Sequence, residues 1–214
     1  MPNPQSDASR ETRWTAAIAV IGLGGSSLAL PDAMVPGPRW LVPVVILALL
    51  IPTILAHRAG HHALDQVLGY AISVIVTVAL AASLASLLTL LPEKREPPAA
   101  LLKSAAILWA TNILVFALWY WRLDAGGPHE REERGAHTAG AFFFPQMMEG
   151  APEVEPDWSP RFVDYLFLAF NNSTAFSPTD TPVLSRWAKV LTMVQALISL
   201  LCIGVLASRA IGML

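Results

Sequence analysis

The sequence predicts an all-α membrane protein with about five transmembrane helices and one re-entrant half-helix, and three observations carry that prediction. Of its 214 residues, 54% are hydrophobic and 14% charged. The mean hydropathy is +0.51, with the charges gathered outside several long apolar runs. Runs such as Val67 to Leu91 are apolar on every face instead of in a 3.6-residue stripe, which argues against a soluble fold. Finally, Trp158 to Leu214 reads as a short capped helix, a polar turn and a long apolar helix, and only the last can cross about 30 Å of hydrocarbon.

Five spans are drawn on length and hydropathy: Trp14–Leu30, Trp40–Ala56, Val67–Leu91, Ala99–Trp121 and Trp187–Ser208. The first is the weakest, because Gly22, Gly24, Gly25, Ser26 and Ser27 lower its hydropathy while permitting close helix packing. Pro43 and Pro52 should kink or end the second. Trp14, Trp40, Trp119, Trp121, Trp158 and Trp187 fall at proposed boundaries, where indole rings prefer to lie, and only Trp109 is mid-span. The chain therefore divides into an N-terminal tail (1–13), a three-helix membrane region (14–91) and a C-terminal module (99–214). That module contains a long polar loop (122–157) and the half-helix (159–172).

The loop is too charged and too rich in Pro and Gly to make a packed domain. Within it FFFPQMM, Phe142 to Met148, is too apolar to float free and should dock on the protein or lie in the membrane interface. No cleavable leader is expected, since no small-residue cleavage site separates the first apolar run from the next span. The Lys/Arg distribution gives conflicting signals for orientation. It favours the N-terminus, the Arg58 turn and the long loop inside, with Arg39, Lys94, Arg95, Lys103 and Arg209 opposing, and the margin depends on how the long loop and the flanking Arg186 and Lys189 are counted.

Ser159-Pro160 supplies a capping hydroxyl and a first-turn proline, and Phe162, Tyr165, Leu166, Ala169 and Phe170 recur at helical spacing. The half-helix should stop near Asn171-Asn172, whose amides compete for backbone groups. After it come Ser173, Thr174, Ala175, Phe176, Ser177, Pro178, Thr179, Asp180 and Thr181, with Pro178 and Pro182 forbidding further helix. Pore helix, Thr174-Ala175, irregular backbone, Asp180, Pro182 and SRWAK leading into the last helix together resemble the pore module of the potassium-channel superfamily. The stretch from Leu108 to Pro128 and FFFPQM are also similar to a family of uncharacterised bacterial membrane proteins. The resemblance implies a channel-like protein, a homotetramer about a central axis, a multi-pass place in the bacterial inner membrane with the long loop outside and the C-terminus inside, and inorganic cations as the permeating species.

One departure from the superfamily pattern changes the expected chemistry. No glycine occurs between Asn171 and Cys202, whereas the TVGYGD filter needs glycines to turn successive carbonyls to the axis. A potassium-type carbonyl cage is not expected. Selectivity would rest on the hydroxyls of Thr174, Ser177 and Thr179, on Asp180, or on a few carbonyls around Ala175 and Pro178, with Phe176 able to plug the axis. Asp180 also suits a plain turn before Pro182. The helix dipole and a ring of Asp180 carboxylates both favour cations. Thr192, Gln195, Ser199 and Cys202 form a weakly polar stripe on the last helix that would line the pore or pack on a neighbouring helix.

Other function classes find less support. Net charge of −2 does not indicate a nucleic-acid partner. The single cysteine, Cys202, has no partner for an intrachain disulfide. His57, His61 and Asp65 share a helical face, but interfacial histidines are commoner than metal sites and no metal or cofactor is expected; pH sensing suits them better. Asn112, mid-span, needs a partner inside the protein. No catalytic constellation or phosphate-cradling glycine loop occurs, so no enzyme is expected. The competing expectation is a non-conducting accessory protein that binds a partner through 122–157.

Overall fold

The computed structural model describes residues 14–91, 97–134, 140–148, 158–177 and 180–211. Among them are seven α-helices: α1 (Trp14–Ala29), α2 (Leu41–Arg58), α3 (His62–Leu90), α4 (Pro98–Leu123), α5 (Pro128–Arg134), α6 (Phe162–Thr174) and α7 (Arg186–Ile211). Four of them, α2, α3, α4 and α7, are long and apolar enough to cross a membrane. The weak first span is α1, a 16-residue helix, shorter than the ~20 residues a crossing needs. At 29 residues, α3 extends about 43 Å, well beyond the hydrocarbon thickness.

Helix ends follow local chemistry. Pro43 falls in the first turn of α2, where a missing N–H costs nothing. Pro52 lies inside that helix, which runs on to Arg58, so neither proline ends the second span. Gly24 of α1 meets α2 closely: a Cβ built there would lie 3.3 Å from Pro43 Cα. Ser27 Oγ donates to Gly24 O at 2.9 Å and to Arg39 O at 3.3 Å, which ties the α1–α2 turn to the helix end.

The centre of the molecule is α4, which packs against α1, α3, α6 and α7. Its Leu101, Ala105, Leu108, Val115, Ala117, Leu118 and Tyr120 are almost completely buried. Tyr70 near the start of α3 donates to Arg122 O near the end of α4 (3.4 Å). Arg209 near the end of α7 donates to Leu91 O at the end of α3 (3.1 Å). These contacts make α4 antiparallel to both α3 and α7. They also define two ends of the bundle, a loop face carrying Arg58, His62, Leu123 and Arg186, and an opposite face carrying Arg39, Leu91 and Arg209.

Both ends of the α6 segment can be located against its neighbours. Phe162 at its start makes an edge contact with Trp121 at the loop-face end of α4, ring centroids 5.9 Å apart. Ser173 near its end accepts from Ser199 at the middle of α7 (2.9 Å) and from Trp109 Nε1 in α4 (3.5 Å). With 13 residues and about 20 Å of rise, α6 runs from the loop face to half depth. The chain then returns to the loop face, where Phe143 N donates to Pro182 O at 3.0 Å and Leu184 N to Ala141 O at 2.7 Å.

Candidate functional site

The helix carrying the proposed site starts and stops differently from the sequence expectation. It begins at Phe162, with Arg161 as its N-cap residue. Asp164 Oδ2 accepts from Arg161 N (2.7 Å), so an acidic first-turn residue does the capping expected of Ser159. At the other end the helix passes through Asn171-Asn172 to Thr174. The reason is that the Asn172 amide is drawn sideways, donating to Thr192 O and Gln195 Oε1 of α7 (both 2.9 Å), and so does not compete for the helix backbone.

Gln195 is the hub of this contact. It is completely buried, and its Nε2 donates to Ala169 O (2.7 Å) and Ser173 Oγ (2.8 Å) of α6. Its Oε1 accepts from Asn172 and from the Tyr120 hydroxyl of α4. Both donors and both lone pairs of the amide are thus used. The backbone carbonyl of Gln195 takes the Asn112 Nδ2 donor at 3.1 Å, which is the internal partner that mid-span asparagine requires. Asn112 Oδ1 is buried and has no partner among the described residues.

The stripe on α7 therefore faces into its own chain. Thr192, Gln195, Ser199 and Cys202 are buried against α4 and α6, the neighbouring-helix arrangement, and do not line an open surface of the chain. The outward face of α7 is apolar instead, with Val190, Met193, Val194, Leu197, Leu200 and Leu201 exposed. The physical reason is that α6 ends its backbone at half depth, and Gln195 and Ser199 are placed where they satisfy it.

A second anchor, which sequence reasoning missed, holds the start of α6. Asp124, fully buried just past α4, accepts the Tyr165 hydroxyl at 2.7 Å and the Ala141 N–H. Arg131 of α5 donates to Trp121 O (2.9 Å) and Asp124 O (2.8 Å) and sets its guanidinium 5.2 Å from the Tyr165 ring centroid. Phe142, also fully buried, bridges antiparallel to Val183 and packs between Tyr120, Tyr165 and Trp187. Phe144 packs on Trp158 and Tyr165. The apolar run in the loop is thus docked on the return segment after α6. Nothing in residue spacing set Asp124 or Arg131 apart from the charged residues around them.

The turn itself is open to the surroundings. Thr174, Ala175, Phe176, Ser177 and Asp180 are exposed, and Pro178 and Thr179 lie outside the described residues. Thr174 Oγ1 donates back to Phe170 O (3.0 Å) and Asn171 O (3.3 Å), which ties it to the last turn of α6. Phe176 has φ +55°, a left-handed conformation that glycine would adopt without strain. The chain takes the bend without a glycine, as its sequence requires.

Away from this site, His57 Nδ1 lies 3.5 Å from Asp65 Oδ2, and His61 joins no group of three metal-ligating side chains among the described residues. His62 of α3 instead stacks on His129 of α5, centroids 3.6 Å apart and planes 10° from parallel. No protein-family model, curated protein or solved structure matches this chain.

Proposed function

We propose that the chain is one subunit of a channel-like membrane assembly. In this reading α4, α6 and α7 act as outer helix, re-entrant pore-type helix and inner helix, with α1 as a fifth short crossing. The single observation behind it is the exposed, irregular stretch Ala175–Ser177, which leaves α6 where Ser173 lies beside the midpoints of α4 and α7. Backbone of that kind cannot face lipid at that depth and is stable only against protein or water. Copies of the chain arranged about an axis, as a tetramer, would provide both. The C-terminal end of α6 then brings its negative dipole, the Thr174 and Ser177 hydroxyls and the Asp180 carboxylate to the axis, a cation-selective combination without a carbonyl cage.

Ion flux into liposomes containing the purified protein tests this reading, together with its oligomeric state in a native-like bilayer. Cation flux that rises with Phe176→Ala and loses cation preference with Asp180→Asn supports it. A monomer, or silence in the parent and both variants, overturns it. The absence of glycine between Asn171 and Cys202 favours the alternative in that event, a non-conducting accessory protein that engages a partner through residues 122–157.

A further inference from the structure

We propose that the His62–His129 stack is a proton-operated latch between α3 and the loop-face anchor of α6. The two imidazoles come from different elements, the first residue of α3 and the second of α5, and lie face to face at 3.6 Å. That geometry is favourable when at least one ring is neutral. When both are protonated it places two like charges in van der Waals contact, and imidazole is the side chain that changes charge between pH 5 and 8.

The surroundings show which way the latch moves. His62, Asp65, Arg122, His129 and Glu130 line one cavity of about 200 Å³ at the loop face, with Gln66 and Tyr70. From α2, His57 sits against Asp65; from α4, Arg122 reaches the same cavity with its guanidinium over Gly69. Within α5, Glu133 Oε1 lies 3.2 Å from His129 Nε2. With both rings charged, two imidazolium groups face each other across 3.6 Å, with Glu133 beside only one of them and Asp65 already shared with His57. That like-charge repulsion drives α5 away from α3.

The movement has a direct route to α6. Two residues beyond His129, Arg131 holds Trp121 O and Asp124 O and covers the Tyr165 ring, and Asp124 in turn binds Tyr165 and Ala141. Displacing α5 loosens the grip on the first turns of α6 while leaving the Gln195 hub at its other end in place. The latch requires this local packing and does not require that ions pass, so its test is independent of permeation.

Hydrogen exchange of the full-length protein in lipid nanodiscs is the readout. Rates at pH 7.5 and 5.5, corrected for intrinsic chemical exchange, are compared for peptides covering 128–134, 162–168 and 190–200. The expected result is about a tenfold or greater loss of protection in 128–134 on acidification, a smaller loss in 162–168, and none in 190–200. In the double variant His62→Phe with His129→Phe, which keeps a stacked aromatic pair without its protons, the acid response should vanish. Unchanged protection of 128–134 in the parent overturns the proposal, as does an acid response that persists in the double variant. Permeation through the assembly is not measured in any arm, so a silent channel would not be mistaken for a failed latch.

Discussion

Gln195 and Asn112 are both buried amides at the α4–α7 contact, but the number of partners each leaves behind differs greatly. Removing Gln195 strands Ala169 O, Ser173 Oγ and the Tyr120 hydroxyl and weakens the tie to Asn172. Interhelical hydrogen bonds in membranes average about 0.6 kcal/mol each. We therefore expect Gln195→Leu to cost about 2 kcal/mol or more in reversible unfolding in mixed micelles. Asn112 makes one bond to Gln195 O and already carries an unpartnered oxygen, so Asn112→Leu should cost less than about 1 kcal/mol. Equal losses would mean the hub is not where the two helices are held. Phe176 offers the opposite case, a residue whose backbone is strained. At φ +55° its Cβ costs about 1 kcal/mol or more that glycine would not, so Phe176→Gly should unfold at a higher denaturant midpoint than Phe176→Ala.

At the scale of elements, α6 was legible in the sequence because its length, its apolar spacing and the prolines after it are local signals, although its cap lies at Arg161 and Asp164 and not at Ser159. Its partners were not, since Asn172 and Gln195 are separated by 23 residues in sequence and meet only once α6 stops at half depth beside α7. The same limit explains why the polar stripe of α7 read equally well as facing a pore or a neighbouring helix; a spacing of three and four residues gives the face but not what covers it. FFFPQMM was recognisable as too apolar for solvent, yet its role as the partner of 182–184 required the fold. If that docking holds the return segment, Phe142→Ala should destabilise the protein by about 3 kcal/mol or more, as for other large buried aromatics. Exchange should rise at the Phe143 and Leu184 amides, which bond across the pair, and leave the amides around Gln195 protected. Uniform loss of protection through α7 would show instead that the loop and the hub form one cooperative unit.

For the whole molecule, helix directions place Arg186 and Lys189, two of the residues on which the charge balance depends. Arg186 and Lys189 belong to the first turn of α7, which the Arg209–Leu91 contact places at the loop face. They join Arg58, Arg122, Arg131, Arg134 and Arg161 there, while Arg39, Lys103 and Arg209 mark the other end among the described residues. Positive residues near span ends remain in the cytoplasm, so we expect the loop face to be cytoplasmic and α6 to enter the membrane from inside. That is the reverse of the orientation the potassium-channel resemblance implies. Single cysteines on a Cys202→Ser background can decide it, using Ala59 at the loop face and Ala33 at the other end, both exposed. With a membrane-impermeant maleimide, Ala33→Cys should label in intact cells and Ala59→Cys only after permeabilisation. The converse pattern would put the acidic loop and the mouth formed by Asp180 outside, and would make α6 enter as a potassium-channel pore helix does.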